Sequence, residues 1–161
     1  MAAKKTLAMK LLDGKKISYK SHSYPDDLRD AEEVARALDL PADRVFKTLV
    51  VSRTGPGKHV LAMIPANRQL DLKKLAKAAG EKKLKMASHR DAEKLTGLQV
   101  GGISALALVN RGFDVYLDRT AESFSDIVVS AGEKGQQIEL AHADLIKVTR
   151  GQYTDIVHAA F

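Results

Sequence analysis

At 161 residues, 45% of them apolar, the chain is long enough to bury a core without help from metals or crosslinks. It has no cysteine, which excludes disulfides, thiolate metal sites and a cysteine nucleophile. The formal charge of +6 is compatible with a nucleic-acid partner but does not demand one. No apolar run has the length of a signal or membrane-spanning segment, so the expectation is one domain over 1–161, cytoplasmic and without a membrane partner.

In chain order, residues 3–13 place Leu7, Ala8, Leu11 and Leu12 on one helical face, and Gly14 stands where a C-terminal cap belongs. Residues 16–23 alternate and are rich in strand formers, stopping before Pro25. Asp30 and Glu33 have capping-box spacing ahead of Val34, Ala35 and Leu38, which predicts a second helix; residues 40–44 make a turn. Residues 45–52 and 59–65 are two β-branched stretches joined by a loop with glycines and a proline, the pattern of a hairpin. Asp71 caps a helix with Leu72, Leu75, Ala76 and Ala79 inside and Lys73, Lys74 and Lys77 outside, ending at Gly80. Ser88 and Asp91 open a short helix reaching Thr96.

Residues 97–106 are apolar but broken by Gly97, Gly101 and Gly102, which implies unusual backbone angles or close approach to a ligand. Strands follow at 114–118, 126–131 and 136–140, the last two joined through Gly132 and Gly135, then a helix at 141–148 and a short closing helix at 154–159. Strands and helices mix without strict βαβ alternation, which predicts an α+β domain around a mixed, mainly antiparallel sheet. Charge is segregated, with Asp26, Asp27, Asp30, Glu32 and Glu33 in one stretch and Lys73, Lys74, Lys77, Lys82, Lys83 and Lys85 in another. Such a division can steer a polyanion to one side.

The familiar catalytic kits are missing. His22, His59, His89, His142 and His158 lack metal-ligand spacing, and there is no nucleophile elbow, Walker loop or dinucleotide fingerprint. Lys47 is conspicuous: it lies in an apolar strand, where a lysine is costly unless it reaches solvent or meets an anion. The glycines at 101 and 102 remove the Cβ atoms that would keep the main chain away from a ligand. Ser130 has no sequence neighbour that would activate it as a nucleophile, so it reads as a hydrogen-bonding wall.

The segments VFKTLV at 45–50, GGIS at 101–104 and VSAGEKGQQIEL at 129–140, in this order and spacing, closely resemble the YbaK family of aminoacyl-tRNA deacylases, relatives of the editing domain inserted in bacterial prolyl-tRNA synthetases. The resemblance runs from the first helix to residues 154–156. It implies an α+β fold with a barrel-like core, surrounding helices and a pocket for the aminoacylated 3′ end of tRNA. It assigns Lys47 to the terminal adenosine and phosphate, Gly101 and Gly102 to catalysis, and Ile103, Ser104 and Ser130 to substrate binding, with Tyr19 and Thr48 as weaker candidates for the same wall. It implies no cofactor or metal, a substrate-assisted release of cysteine from Cys-tRNA(Pro) or Cys-tRNA(Cys), and prolyl-tRNA synthetase as partner. Ala105 replaces the family's common proline, and Gln137 stands where some relatives carry an acid. An Ala-tRNA(Pro) deacylase using water, and a non-catalytic tRNA- or synthetase-binding module, remain the alternatives.

Overall fold

The computed structural model describes residues 5–28, 30–54 and 56–159. Helix α1 (Leu7–Gly14) begins where the Thr6 hydroxyl accepts from the Met9 N–H, so the part of the expected helix before residue 5 lies outside the described residues. The chain reverses at Lys16, φ 58°, and enters β1 (Lys20–Ser23), which is shorter than its alternation suggests. Asp30 caps α2 (Ala31–Ala37) by accepting from the Glu33 N–H. Strands β2 (Phe46–Arg53) and β3 (Val60–Pro65) form the expected hairpin. Asp71 and the left-handed Gly80 bracket α3 (Leu72–Ala79), and Ser88 caps α4 (His89–Thr96). The remaining elements are β5 (Asp114–Asp118), β6 (Asp126–Ser130), β7 (Gln136–Ala141) and α5 (His142–Thr149).

Two elements differ from the sequence-based expectation. A short strand at Leu84–Met86, β4, pairs with the end of β2; at three residues it is too short to show a period. The expected closing helix at 154–159 is extended instead, with Gln152–Thr154 forming β8 beside β5. Long-range partners take its main chain: the buried Asp118 carboxylate accepts from the Ile156 N–H at 3.0 Å, and the Ile156 carbonyl accepts from the Asp71 N–H at 2.8 Å. Tertiary hydrogen bonding therefore overrides a local helical pattern.

The strands form a mixed five-stranded sheet, β4-β2-β3-β5-β8, and an antiparallel three-stranded sheet, β1-β7-β6. Antiparallel ladders outnumber parallel ones, as expected for this α+β class. A Val45–Val128 bridge brings the two sheets together, but the described strands close no barrel, which corrects the barrel-like expectation. The main core lies between the sheets, where Phe46, Leu61, Met63 and Leu117 meet Ile127, Val129, Ile138 and Leu140. On the other face of the larger sheet, α3 packs Leu75 and Ala76 onto Val51, Ala62 and Ile64. No helix among the described residues is long and apolar enough to cross a membrane.

Candidate active site

The site grows out of an incomplete strand edge. β3 pairs with β2 along residues 46–51, whereas on the outer side β4 reaches only residues 51–53, with the Val50 carbonyl accepting from Ala87. From Phe46 to Leu49 the outer edge has no neighbouring strand among the described residues, and a cleft of about 210 Å³ opens there. Its walls include Lys47 and Thr48 from β2, Asp30 and Val34 from α2, Gly101 and Ile103 from the glycine segment, and Ser130 and Gln137 from the smaller sheet.

Lys47 is half-buried, and its Nζ donates to the Ala66 carbonyl at 3.2 Å. Burial pushes its ammonium below the ordinary lysine range, and the nearby Glu32 and Asp30 carboxylates offset that in part. Among the described residues no carboxylate makes a salt bridge to it. A cation held this way is available to an incoming anion.

Five of the expected residues come together on the cleft: Lys47, Thr48, Gly101, Ile103 and Ser130. The other three are elsewhere. Gly102 is buried behind the cleft wall; a Cβ there would stand 3.0 Å from the Lys134 nitrogen and 3.1 Å from the Glu133 carbonyl carbon, and its N–H is spent on Gln99 at 2.8 Å. Ser104 is buried, and its hydroxyl accepts from the Ala107 N–H at 3.2 Å, closing a local turn. Tyr19 precedes β1 and packs on the main core, on the opposite sheet face from Ser130 and Gln137; burial and the Asp13 carboxylate raise its phenol.

Tyr24 approaches the site instead, receiving a hydrogen bond from Gln137 Nε2 at 3.3 Å. Sequence reading passed over it because Pro25 suggested a strand terminus and nothing more. Ser130 accepts from the Gly132 N–H at 3.1 Å, and among the described residues its hydroxyl makes no hydrogen bond to a basic side chain that would activate it. No cluster of three or more His, Asp or Glu with metal-binding geometry occurs among the described residues.

Behind the site, Glu139 on β7 is bound by Arg44 and by His22, the latter at 2.8 Å, while Arg44 Nε donates to the Asp126 carbonyl. Burial works to raise the Glu139 carboxyl, but His22 and Arg44 together hold it below the ordinary range. These contacts tie the smaller sheet to the turn leading into β2.

The model of the aminoacyl-tRNA editing domain matches residues 25–148, a span that contains every cleft-lining residue named above. The chain belongs to the aminoacyl-tRNA editing-domain family. Editing of a charged tRNA is removal of its aminoacyl group, so the activity class is aminoacyl-tRNA deacylation. Over 156 residues the chain is 43% identical to an Enterococcus faecalis protein described as a candidate Cys-tRNA(Pro)/Cys-tRNA(Cys) deacylase, EbsC, covering 94% of this chain and 93% of that one. It is 28% identical over 137 residues to a proline--tRNA ligase of Caldicellulosiruptor bescii, matching 85% of this chain but 23% of the much longer ligase. A crystal structure described as a candidate trans-editing enzyme for prolyl-tRNA synthetase superposes with a TM-score of 0.78 over 97% of this chain and all of that one; at 20% identity the likeness establishes the shared fold.

Proposed function

We propose that this editing domain acts in trans to release cysteine from Cys-tRNA(Pro), and from Cys-tRNA(Cys), by letting the substrate's thiol attack its own ester. The observation that carries the reading is Lys47: an ammonium that makes no salt bridge to a carboxylate among the described residues, lowered by burial, on a cleft that also holds Gly101 and Ser130. In this reading Lys47 holds the terminal adenosine and its phosphate, turning away from the Ala66 carbonyl to do so. The cysteine sulfur bonds to the ester carbonyl carbon, the bond to the ribose oxygen breaks, and that oxygen takes up the thiol proton, giving a thiolactone and free tRNA. A thiol with an ordinary pKa near 8.5 supplies enough nucleophile at neutral pH that the protein need only orient it.

The developing oxyanion falls to main-chain donors. Because the Gly102 N–H is already committed to Gln99, the donors in this scheme are the N–H groups of Gly101 and Ile103, which make no main-chain bond among the described residues. Thr48, Ile103 and Ser130 shape the wall around the aminoacyl group. Selectivity for the tRNA body comes from prolyl-tRNA synthetase as partner, a reading supported by kinship with domains carried inside that enzyme.

A second reading is favoured by Asp30, a carboxylate on the cleft that could orient water for a substrate without a thiol, such as Ala-tRNA(Pro). Deacylation measured side by side on Cys-tRNA(Pro), Cys-tRNA(Cys) and Ala-tRNA(Pro), with detection of thiolactone, separates the two. The expected result is turnover of both cysteinyl esters with thiolactone formed; turnover of the alanyl ester alone would reverse the assignment. Lys47→Ala should fold normally and lose about 10- to 100-fold in kcat/KM, the worth of one charge-assisted contact. Undiminished turnover by the folded variant rules out the role given to Lys47.

A further inference from the structure

Two buried side-chain polar atoms among the described residues have no hydrogen-bond partner, Thr48 Oγ1 and Gln137 Oε1, and both residues line the same cleft. Buried polar groups in folded proteins are nearly always paired, so an orphan on the wall of a cleft marks where a ligand's complementary group belongs. Gln137 is the more constrained of the two. Only 6% of it is exposed, and its main chain is clamped between β1 and β6, opposite His22 on one side and Ser130 on the other. Its amide nitrogen donates to the Tyr24 hydroxyl, leaving an oxygen that can only accept.

The aminoacylated end of a tRNA offers an α-ammonium, a ribose hydroxyl and an adenine amine as donors. The electrostatics of the rim favour the ammonium. Asp30 places a carboxylate on the wall of this cleft, and its negative charge attracts a second cation. A carboxylate at position 137 would also bind an ammonium, but it would compete for Lys47. A neutral carboxamide accepts from the substrate and leaves Lys47 free for the phosphate. We infer that Gln137 reads the α-ammonium of the aminoacyl group through Oε1, which makes the site selective for esters whose α-amine is free. This rests on the editing reading of the cleft.

The test compares cysteinyl-tRNA with N-acetylcysteinyl-tRNA, in which the thiol stays free and only the amine is blocked. The wild-type protein should show a KM about 10- to 100-fold higher for the blocked ester, the range expected for one hydrogen bond to a charged group. Gln137→Leu should raise KM for the free-amine ester into that range and leave the blocked ester unchanged, erasing the preference. Gln137→Glu keeps an acceptor and should keep the preference. The inference is overturned by a wild-type protein that turns over both esters alike, by Gln137→Leu impairing both equally, or by Gln137→Glu losing the preference. A wild-type protein inactive on every ester would bring down the editing reading as well, an outcome distinct from active but indifferent turnover.

Discussion

Gly101 sits at φ +96° on the cleft, with only the flexible side chain of Lys134 near a would-be Cβ, at 3.6 Å. Its neighbour Gly102 does not have a positive φ, but a Cβ placed on it would stand 3.0–3.2 Å from the main chain of residues 133 and 134. One glycine is therefore needed for its conformation and the other for close packing of the loop against the β6–β7 turn. A methyl group at Gly102 cannot be absorbed by rotating a side chain, because main-chain atoms are what it strikes. Gly102→Ala should cost about 1–3 kcal/mol, the usual penalty for overpacking. Urea unfolding monitored by circular dichroism measures it; an unshifted midpoint would mean that the turn yields freely and that Gly102 is not a packing constraint.

At the scale of elements, the local signals were legible wherever a cap or a period set the outcome. Asp30, Asp71 and Ser88 each accept from the main chain of the helix they were expected to start, and Gly80 takes the left-handed cap. What escaped sequence reading depends on partners distant in the chain: β8 pairs with β5 and the segment after it is held by Asp118, β4 exists through β2, and Tyr24 reaches the site through Gln137. The same holds for the site. Lys47 and Gly101 stand out locally by charge and composition, but which face Tyr19 or Ser104 presents is decided by sheet register and turn closure. The Glu139 cluster is another such long-range device, joining β7, β1 and the turn before β2.

Glu139→Gln should destabilise the protein at neutral pH by about 1–3 kcal/mol, the worth of hydrogen bonds to a charged group. That is less than the cost of breaking a fully buried pair, because the Arg44 side chain remains 23% exposed. The sign of the pH dependence follows from the lowered Glu139 carboxyl. An acid held below its ordinary value of 4.5 contributes stability that is present above that value and is lost as pH falls through the lowered one. The difference between wild type and variant should therefore shrink as pH drops below 4.5. A gap that stays constant into strong acid would remove the charge from the explanation.

Across the whole molecule, the two charged stretches take different positions around the cleft. The acidic one supplies Asp30 to the cleft and brings Glu32 near Lys47, so the cleft itself is not a basic funnel. The basic one begins on α3 with Lys73, Lys74 and Lys77 and runs on through Lys82 and Lys83 to Lys85 in β4; α3 covers the face of the larger sheet to which Lys47, Leu49 and Val51 point by strand alternation. A polyanion drawn to α3 is thus on the correct side of the sheet to deliver its end to Lys47. Lys74 is already engaged with Asp155 and the Val157 carbonyl, which leaves the exposed Lys73 and Lys77 as the charges on α3 itself that are free to meet phosphate. tRNA binding should weaken as salt rises. In Lys73→Gln/Lys77→Gln, the slope of log affinity against log salt should become shallower by about 1.5, the release expected for two phosphate contacts. Because neither residue lines the cleft, kcat should be unchanged at saturating tRNA. An unaltered slope would place the polyelectrolyte contact on another surface, and a fall in kcat would mean that α3 acts on the chemistry rather than on the approach.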